Sequence, residues 1–134
     1  MTIDRSKRTG FEQVAEFYNA SRSGYPDELV DDVLTLAGFP SHGRILEVGC
    51  GTGNATIAFA RRGCEVLGIE LGARLAAYAA SNCRNYPKVN ILNVAFEDWP
   101  VEESAFDLGM AFDALHWIPP EVAYPKLARA LKPG

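Results

Sequence analysis

The sequence is poor in the residues that build disulfide scaffolds and metal sites. Its 134 residues include only two histidines and three cysteines, which are Cys50, Cys64 and Cys83. The cysteine number is odd, and no two of them have the Cys-x-x-Cys spacing of zinc or redox motifs. We therefore expect no metal ion and no disulfide framework, and this cysteine usage is typical of a reducing, cytoplasmic compartment.

Basic charge and long apolar runs are also scarce. Lysine and arginine number 13 against 17 aspartates and glutamates, so the net charge is −4 and there is no basic excess for nucleic acid. No apolar run approaches the ~20 residues of a membrane span, and residues 1–10 lack the apolar centre of a secretory signal. A hydrophobic fraction of 48% indicates a globular domain, and we expect neither a nucleic-acid nor a membrane partner.

One stretch, residues 44–56, organises the rest of the chain. It reads Arg-Ile-Leu-Glu-Val-Gly-Cys-Gly-Thr-Gly-Asn-Ala-Thr. The apolar half is typical of a buried parallel strand, and Asn54 is predicted to cap a helix over residues 55–62 that ends at Gly63. Every second residue of the turn between them is a glycine: Gly49, Gly51 and Gly53. Bare backbone at the beginning of a helix allows a ligand to lie against the main chain.

The glycine turn suits two kinds of ligand, a dinucleotide and S-adenosylmethionine. The dinucleotide motif is Gly-x-Gly-x-x-Gly, and its third glycine would fall at Asn54. Glu47 lies two residues before the first glycine, where a carboxylate repels a pyrophosphate and attracts an ammonium or a sulfonium. Both residues favour S-adenosylmethionine, and a purely structural strand-to-helix turn is the alternative without a ligand.

Residues 47–53, Glu-Val-Gly-Cys-Gly-Thr-Gly, resemble the first motif of the class I S-adenosylmethionine-dependent methyltransferases. The resemblance implies an α/β fold, a Rossmann-like three-layer methyltransferase domain with a mostly parallel sheet. It implies that Glu47 holds the methionine amino group of S-adenosyl-L-methionine, and that the backbone of the three glycines flanks the methionine and the ribose. The implied activity is methyl transfer to a small-molecule acceptor. A non-catalytic cofactor-binding module and a nicotinamide-dependent oxidoreductase remain alternatives.

Residues 65–70, Glu-Val-Leu-Gly-Ile-Glu, predict a second buried strand that ends in an acid. Glu70 lies 21 residues after Gly49, the separation at which an acidic side chain reaches ribose hydroxyls. We expect Glu70 to lie at the exposed tip of its strand and to bind the ribose. An exposed acid without a ligand is the alternative.

A third strand is predicted over residues 89–96, followed directly by Glu97. In the methyltransferases the adenine ring packs at this strand end, often beside an acid, and this sequence has Ala95 at the aligned position. The resemblance therefore implies a backbone contact at Phe96 and a weaker contact from Glu97. Trp99 is expected to be a packing residue.

Residues 1–40 are predicted to form an N-terminal helical cap or lid, with one helix over residues 11–19 and another from Pro26 to Gly38. The spacing of Tyr18, Arg22, Tyr25 and Pro26 resembles a segment of the type 11 methyltransferases, the branch that includes relatives of trans-aconitate methyltransferase. The resemblance implies that Tyr18 and Arg22 close over the carboxylate of the cofactor. A plain helical cap over one sheet edge is the alternative.

A fourth strand is predicted over residues 106–112, followed by Asp113-Ala-Leu-His-Trp. This segment resembles the fourth motif of the same branch, which implies that Asp113 contacts the cofactor and that His116 lies at the acceptor site. His116 is then a candidate base for a proton that the acceptor loses. The alternative is a histidine packed against Trp117.

Residues 41–134 together predict the N-terminal part of one methyltransferase domain. Right-handed crossovers place strand 1 centrally, with the strand order 3-2-1-4 and the ligand at the carboxyl ends of strands 1 and 4. The last helix is predicted to begin near Tyr124, because Pro125 suits a first turn. The family sheet has seven strands, so we expect strands 5–7 to be missing and the chain to be truncated after this helix. The outer edge of strand 4 is then expected to have no partner and to support self-association or aggregation.

Overall fold

The computed structural model of the chain describes residues 26–111 and 118–133. In chain order the elements are α1 Asp27–Leu36, β1 Arg44–Val48, α2 Asn54–Ala60, β2 Glu65–Ile69, α3 Ala73–Asn82, β3 Val89–Leu92, a 3-10 helix at Phe96–Asp98, β4 Leu108–Met110 and α4 Pro120–Ala130. Helices and strands alternate over most of this length, which is the pattern of an α/β domain with a parallel sheet.

The four strands form one sheet in the order β3-β2-β1-β4, which confirms the predicted order. All three pairings are parallel, and Leu46 at the centre of β1 lies opposite Leu67 of β2 and Gly109 of β4. Because β2 and β4 lie on opposite sides of β1, the connections diverge at the carboxyl end of β1. Open α/β sheets bind their ligands in the crevice at such a switch point.

Apolar side chains alternate between the two faces of the sheet, as successive residues of a strand must. The buried cluster on one face contains Val30, Ile45, Phe59, Cys64, Val66 and Met110. The cluster on the other face contains Leu46, Val48, Leu67, Ile69, Phe96, Trp99, Phe106, Ile118, Ala123 and Ala130. Helices α1 and α2 therefore cover the first face and α4 the second, which is the predicted three-layer arrangement.

The helix after the glycine turn begins one residue earlier than predicted. α2 begins at Asn54, and its cap is Gly53, which has a left-handed backbone (φ 91°) and makes no side-chain capping bond. The prediction that Asn54 caps this helix is therefore wrong. The physical reason is that a glycine reaches the left-handed region at little cost, so the turn passes directly into the helix. The helix also ends at Ala60 rather than Arg62, and Gly63 follows with φ 83°.

The last helix begins at Pro120, and the prediction of a beginning near Tyr124 is wrong. Pro120 is the first helical residue, where the missing N–H of a proline costs nothing. Pro125 lies inside the helix on an exposed position, so water can satisfy the one carbonyl that it leaves without an N–H donor. The first helix, α1, likewise spans Asp27–Leu36 with Pro26 as its cap, slightly shorter than predicted.

β3 ends at Leu92 instead of residue 96. Beyond it, the Asn93 side chain donates hydrogen bonds of 2.9 Å to the carbonyl oxygens of Glu70 and Leu71. The chain then turns into the 3-10 helix at Phe96–Asp98, so it leaves the ladder before the predicted strand end.

β4 is also shorter than the predicted span of residues 106–112, part of which lies outside the described residues. Phe106 forms an isolated parallel bridge with Leu131, and the Lys132 N–H donates to the Phe106 carbonyl at 2.9 Å. The outer side of the chain just before β4 is therefore paired at this point. This finding corrects the expectation that the outer edge has no partner along its whole length.

Four predicted site residues lie outside the described residues: Tyr18, Arg22, Asp113 and His116. The predicted helix over residues 11–19 lies outside them as well. In the described part of the chain, no helix combines the length and the apolar character that crossing a membrane requires.

Candidate functional site

The turn between β1 and α2 has a left-handed backbone at each of its glycines. The φ angle is 72° at Gly49, 59° at Gly51 and 91° at Gly53, a region that residues with side chains rarely adopt. A Cβ added at Gly51 would meet no atom of the described chain within 4 Å, whereas one at Gly53 would lie 3.3 Å from Cys83 Sγ. The turn is therefore open at Gly51 and packed against the end of α3 at Gly53.

The end of β2 holds the turn in this shape. The Ile69 carbonyl accepts hydrogen bonds from the N–H groups of Gly49 (2.7 Å) and Cys50 (3.2 Å). The next residue, Glu70, accepts a hydrogen bond at Oε1 from the Gly51 N–H at 2.8 Å. The pairing of β1 with β2 thus continues into the turn, and the acid at the end of β2 completes it.

Glu70 is buried, with 7% of its surface exposed, so the prediction of an exposed strand tip is wrong. Its second oxygen, Oε2, accepts a hydrogen bond of 2.9 Å from the Gly72 N–H. Two backbone N–H groups draw the carboxylate inward, because such charge-assisted bonds are strong. A carboxylate offers about four acceptor positions, so one such group can both hold a turn and accept hydroxyl donors.

Glu47 is the second buried acid beside the turn, with 2% of its surface exposed. The Thr56 hydroxyl, on the first turn of α2, donates to Glu47 Oε1 at 2.5 Å. Burial raises the pKa of Glu47 to about 7; the Thr56 hydrogen bond opposes this rise and the nearby Glu70 adds to it. At neutral pH the carboxyl group is therefore divided between its neutral and ionised forms, and a cation beside it would favour the ionised form.

The segment after β3 places Phe96 differently from Glu97. Phe96 is 1% exposed, and its ring stacks on Trp99 with 6.0 Å between ring centroids, so it belongs to the core. The Glu97 carbonyl accepts a hydrogen bond of 2.9 Å from Nζ of Lys126, on α4, and the same ammonium lies 5.4 Å from the centre of the Phe96 ring. The Phe96 ring is therefore not open to a ligand, and Lys126 lies next to this segment.

The structure thus brings Glu47, Glu70 and the three glycines together around one turn, at the carboxyl ends of β1 and β2. Sequence reasoning missed four residues that hold this region: Thr56, Asn82, Asn93 and Lys126. Thr56 had a usable signal, because it lies on the helix turn that follows the glycines and a buried acid needs a donor. The other three act across 22 to 30 residues of sequence, and no local pattern marks them.

Known proteins resemble this chain in sequence. A family profile described as a methyltransferase domain matches residues 45–134, which is most of the chain. An uncharacterized methyltransferase of Mycobacterium tuberculosis is 29% identical over 131 residues, covering 97% of this chain and 51% of the relative. The chain therefore spans about half the length of this relative.

Solved structures share the fold. The cyclase SpnF superposes with a TM-score of 0.83 at 24% identity, covering 99% of this chain and 58% of SpnF. A candidate S-adenosyl-L-methionine-dependent methyltransferase of Methanococcus maripaludis superposes with a TM-score of 0.76 at 16% identity, covering 100% and 62% of the two chains. At these identities the likeness concerns the fold, which hosts more than one reaction. The profile match carries the assignment further: the chain belongs to the methyltransferase domain family, an enzyme family with this Rossmann-like fold whose methyl donor is S-adenosyl-L-methionine.

Proposed function

We propose that this chain carries the cofactor-binding part of an S-adenosylmethionine-dependent methyltransferase that acts on a small molecule. The observation that carries the proposal is the pair of buried carboxylates, Glu47 and Glu70, on the two sides of an open glycine turn. A ligand that is cationic at one end and carries hydroxyl groups at the other suits this pair. S-adenosylmethionine has both features, in its amino and sulfonium groups and in its ribose.

The geometry of the turn supports the fit. The space beside Gly51 is open in the described structure, so a ligand can approach the backbone closely there. A pyrophosphate would bring two negative charges next to two buried acids, which is unfavourable at close range. The two acids, together with Asn54 in place of the third glycine of the dinucleotide motif, disfavour a nicotinamide-dependent oxidoreductase.

Each residue has a proposed task. Glu47 ionises beside the amino group of the cofactor, and Glu70 receives the ribose hydroxyls while it holds the turn. The backbone of Gly49, Gly51 and Gly53 flanks the methionine and the ribose. The backbone at Phe96, with Glu97, meets the adenine, and the hydrogen bond from Lys126 to the Glu97 carbonyl supports the shape of that segment.

The proposal includes residues outside the described part of the chain. From their sequence spacing we propose that residues 1–40 form a cap or lid in which Tyr18 and Arg22 close over the cofactor carboxylate, as in the type 11 branch related to trans-aconitate methyltransferase. Asp113 is proposed to contact the cofactor, and His116 to accept a proton from the acceptor. The acceptor itself is proposed only as a small molecule. The three cysteines are free and buried, which supports a reducing, cytoplasmic setting.

The cofactor supplies an electrophilic methyl group on its sulfonium, so the protein needs no covalent or metal-bound step of its own. What these residues contribute is binding, orientation and exclusion of water. Alignment of this kind contributes on the order of 7–11 kcal/mol to a bimolecular reaction. The alternative proposal, a cofactor-binding module without catalysis, uses the same site.

Isothermal titration tests the proposal with S-adenosylmethionine, S-adenosylhomocysteine and NAD offered in parallel. We expect both sulfur compounds to bind and NAD to bind more weakly than either. Glu47→Gln should weaken binding of S-adenosylmethionine. Glu28→Gln, which changes an exposed acid on α1, should leave that binding unchanged. Tighter binding of NAD would sink the proposal, and binding without transfer to any tested acceptor would favour the non-catalytic alternative.

A further inference from the structure

The peptide between Thr52 and Gly53 is held at both of its polar groups. The Gly53 N–H donates to the Cys50 carbonyl at 3.0 Å, and the Thr52 carbonyl accepts a hydrogen bond of 2.9 Å from Nδ2 of Asn82. Rotating this peptide would change the backbone at Gly53, whose carbonyl accepts the first bond of α2 from the Ile57 N–H at 2.9 Å. The two contacts therefore set the end of the glycine turn and the beginning of α2 together.

The side chains of the turn itself do not supply this anchor. Within residues 26–111 and 118–133, the buried Thr52 hydroxyl and the buried Asn54 side-chain nitrogen have no hydrogen-bond partner. Thr52 is 2% exposed, so its side chain is packed in the interior. The side-chain hydrogen bond that reaches the Thr52 carbonyl comes from another element, α3.

α3 connects the two ends of the turn. It begins after Gly72, whose N–H donates to Glu70 Oε2, while Glu70 Oε1 receives the Gly51 N–H. At its other end, Ala79 and Cys83 pack against Gly53, at 3.4 Å and 3.3 Å from the position of an added Cβ. A ten-residue helix is a stiff rod about 15 Å long. The same helix is therefore linked to Gly51, through Glu70, and packs against Gly53.

We propose that Asn82 is a positioning residue for the cofactor, which it serves by holding the Thr52–Gly53 peptide in the binding conformation without touching the ligand. This inference rests on the proposed function, because the turn matters only if it receives a ligand. It adds a residue that lies 30 positions beyond the turn. Loss of the amide donor should leave the fold intact and allow the peptide to rotate.

The test compares three variants of the whole chain. Asn82→Ala removes the donor, Asn85→Ala removes an exposed asparagine just beyond the same helix, and Val30→Ala destabilises the core cluster beneath α1 and α2. Binding of S-adenosylhomocysteine is titrated at a low temperature at which circular dichroism shows every variant folded. We expect Asn82→Ala to weaken binding about three- to tenfold, the effect of one hydrogen bond, and both controls to stay within twofold of the original chain.

A second measurement uses the chain without ligand. Amide hydrogen exchange at Gly51 and Gly53 should become faster in Asn82→Ala, because these N–H groups bond only while the turn keeps its shape. It should be unchanged in Asn85→Ala. Unchanged affinity together with unchanged exchange overturns the positioning role, and so does a Val30→Ala chain that loses as much affinity as Asn82→Ala. If the original chain binds no S-adenosylhomocysteine, the proposed function fails, and the exchange rates alone then decide whether Asn82 holds the turn.

Discussion

The Glu70 carboxylate at the end of β2 accepts a hydrogen bond of 2.8 Å from the Gly51 N–H, in the middle of the glycine turn that follows β1. The residue predicted to bind a ribose therefore also shapes the backbone that would receive the rest of the cofactor. Ligand binding and the local fold depend on the same side chain, and variants of Glu70 have to be interpreted with both in mind.

Glu70→Ala should weaken binding of S-adenosylhomocysteine by about 1.5–3 kcal/mol, the range for hydrogen bonds to a charged group. It should also lower the thermal midpoint, because the N–H groups of Gly51 and Gly72 lose their acceptor. Titration measures the loss of affinity and thermal unfolding measures the loss of stability. The control is Glu28→Ala, a change at an exposed residue of α1. Glu70→Ala should bind an analogue without the two ribose hydroxyls nearly as tightly as it binds S-adenosylhomocysteine. If the original chain binds this analogue as tightly as the parent compound, Glu70 does not bind the ribose.

Glu47 should make the stability of the chain depend on pH. Burial raises its pKa from the ordinary 4.5 to about 7 in the folded chain. The folded state then holds a proton that the unfolded state releases, so the free energy of unfolding falls as pH rises from about 4.5 to about 7 and is level outside that window. The fall is on the order of 3 kcal/mol, since one pKa unit corresponds to 1.36 kcal/mol.

Urea unfolding at pH 5, 6, 7 and 8 measures this dependence. Glu47→Gln has no proton to lose, so it should be more stable relative to the original chain at pH 8 than at pH 5. Thr56→Val removes the donor that favours the ionised carboxylate, so it should move the fall to higher pH. If the free energy of unfolding changes with pH in the same way in the original chain and in Glu47→Gln, Glu47 is not the source of the pH dependence.

Gly51 and Gly63 form a matched pair for testing the open side of the turn. Both have a left-handed backbone, with φ 59° and 83°, and an added Cβ meets no atom of the described chain within 4 Å at either. Each change to alanine should therefore cost a similar ~1–2 kcal/mol of stability through backbone strain. Only Gly51→Ala should weaken binding of S-adenosylhomocysteine, by tenfold or more, because the added methyl group occupies the space of the ligand. Equal affinities in the two variants would place the ligand elsewhere.

The edge of the sheet at β4 should support self-association. In the described part of the chain β4 pairs with β1 on one side, and the pairing next to it on the other side is the short bridge between Phe106 and Leu131. Unpaired N–H and C=O groups beside apolar residues favour pairing with another strand. Multi-angle light scattering should detect dimers or larger species whose share grows with concentration. A monomer at all concentrations, with amides of Leu108–Met110 strongly protected from exchange, would show that this edge is satisfied within one chain.

The order of the strands, and the position of the glycine turn beside the end of β2, could be predicted from local patterns. Apolar runs at residues 45–48 and 65–69 mark buried strands, and the right-handed crossover rule leaves β1 in the middle. Element ends were predicted less well, because a cap such as Gly53 or a proline inside α4 depends on the path of the neighbouring chain. The prediction that Glu70 is exposed is wrong for a related reason: the sequence of β2 does not show which N–H groups lie within reach of the Glu70 carboxylate.

The sequence by itself determined the glycine turn, the two acids at its sides and the parallel sheet that brings them together, because strand periodicity and glycine conformation are local properties. Only the tertiary structure decided that Glu70 turns inward, that Asn82 reaches the Thr52 carbonyl and that Lys126 lies on the segment after β3. These contacts join elements far apart in sequence. Their partners are chosen by how helices pack on the sheet, where burial requires each polar group to find a donor or an acceptor.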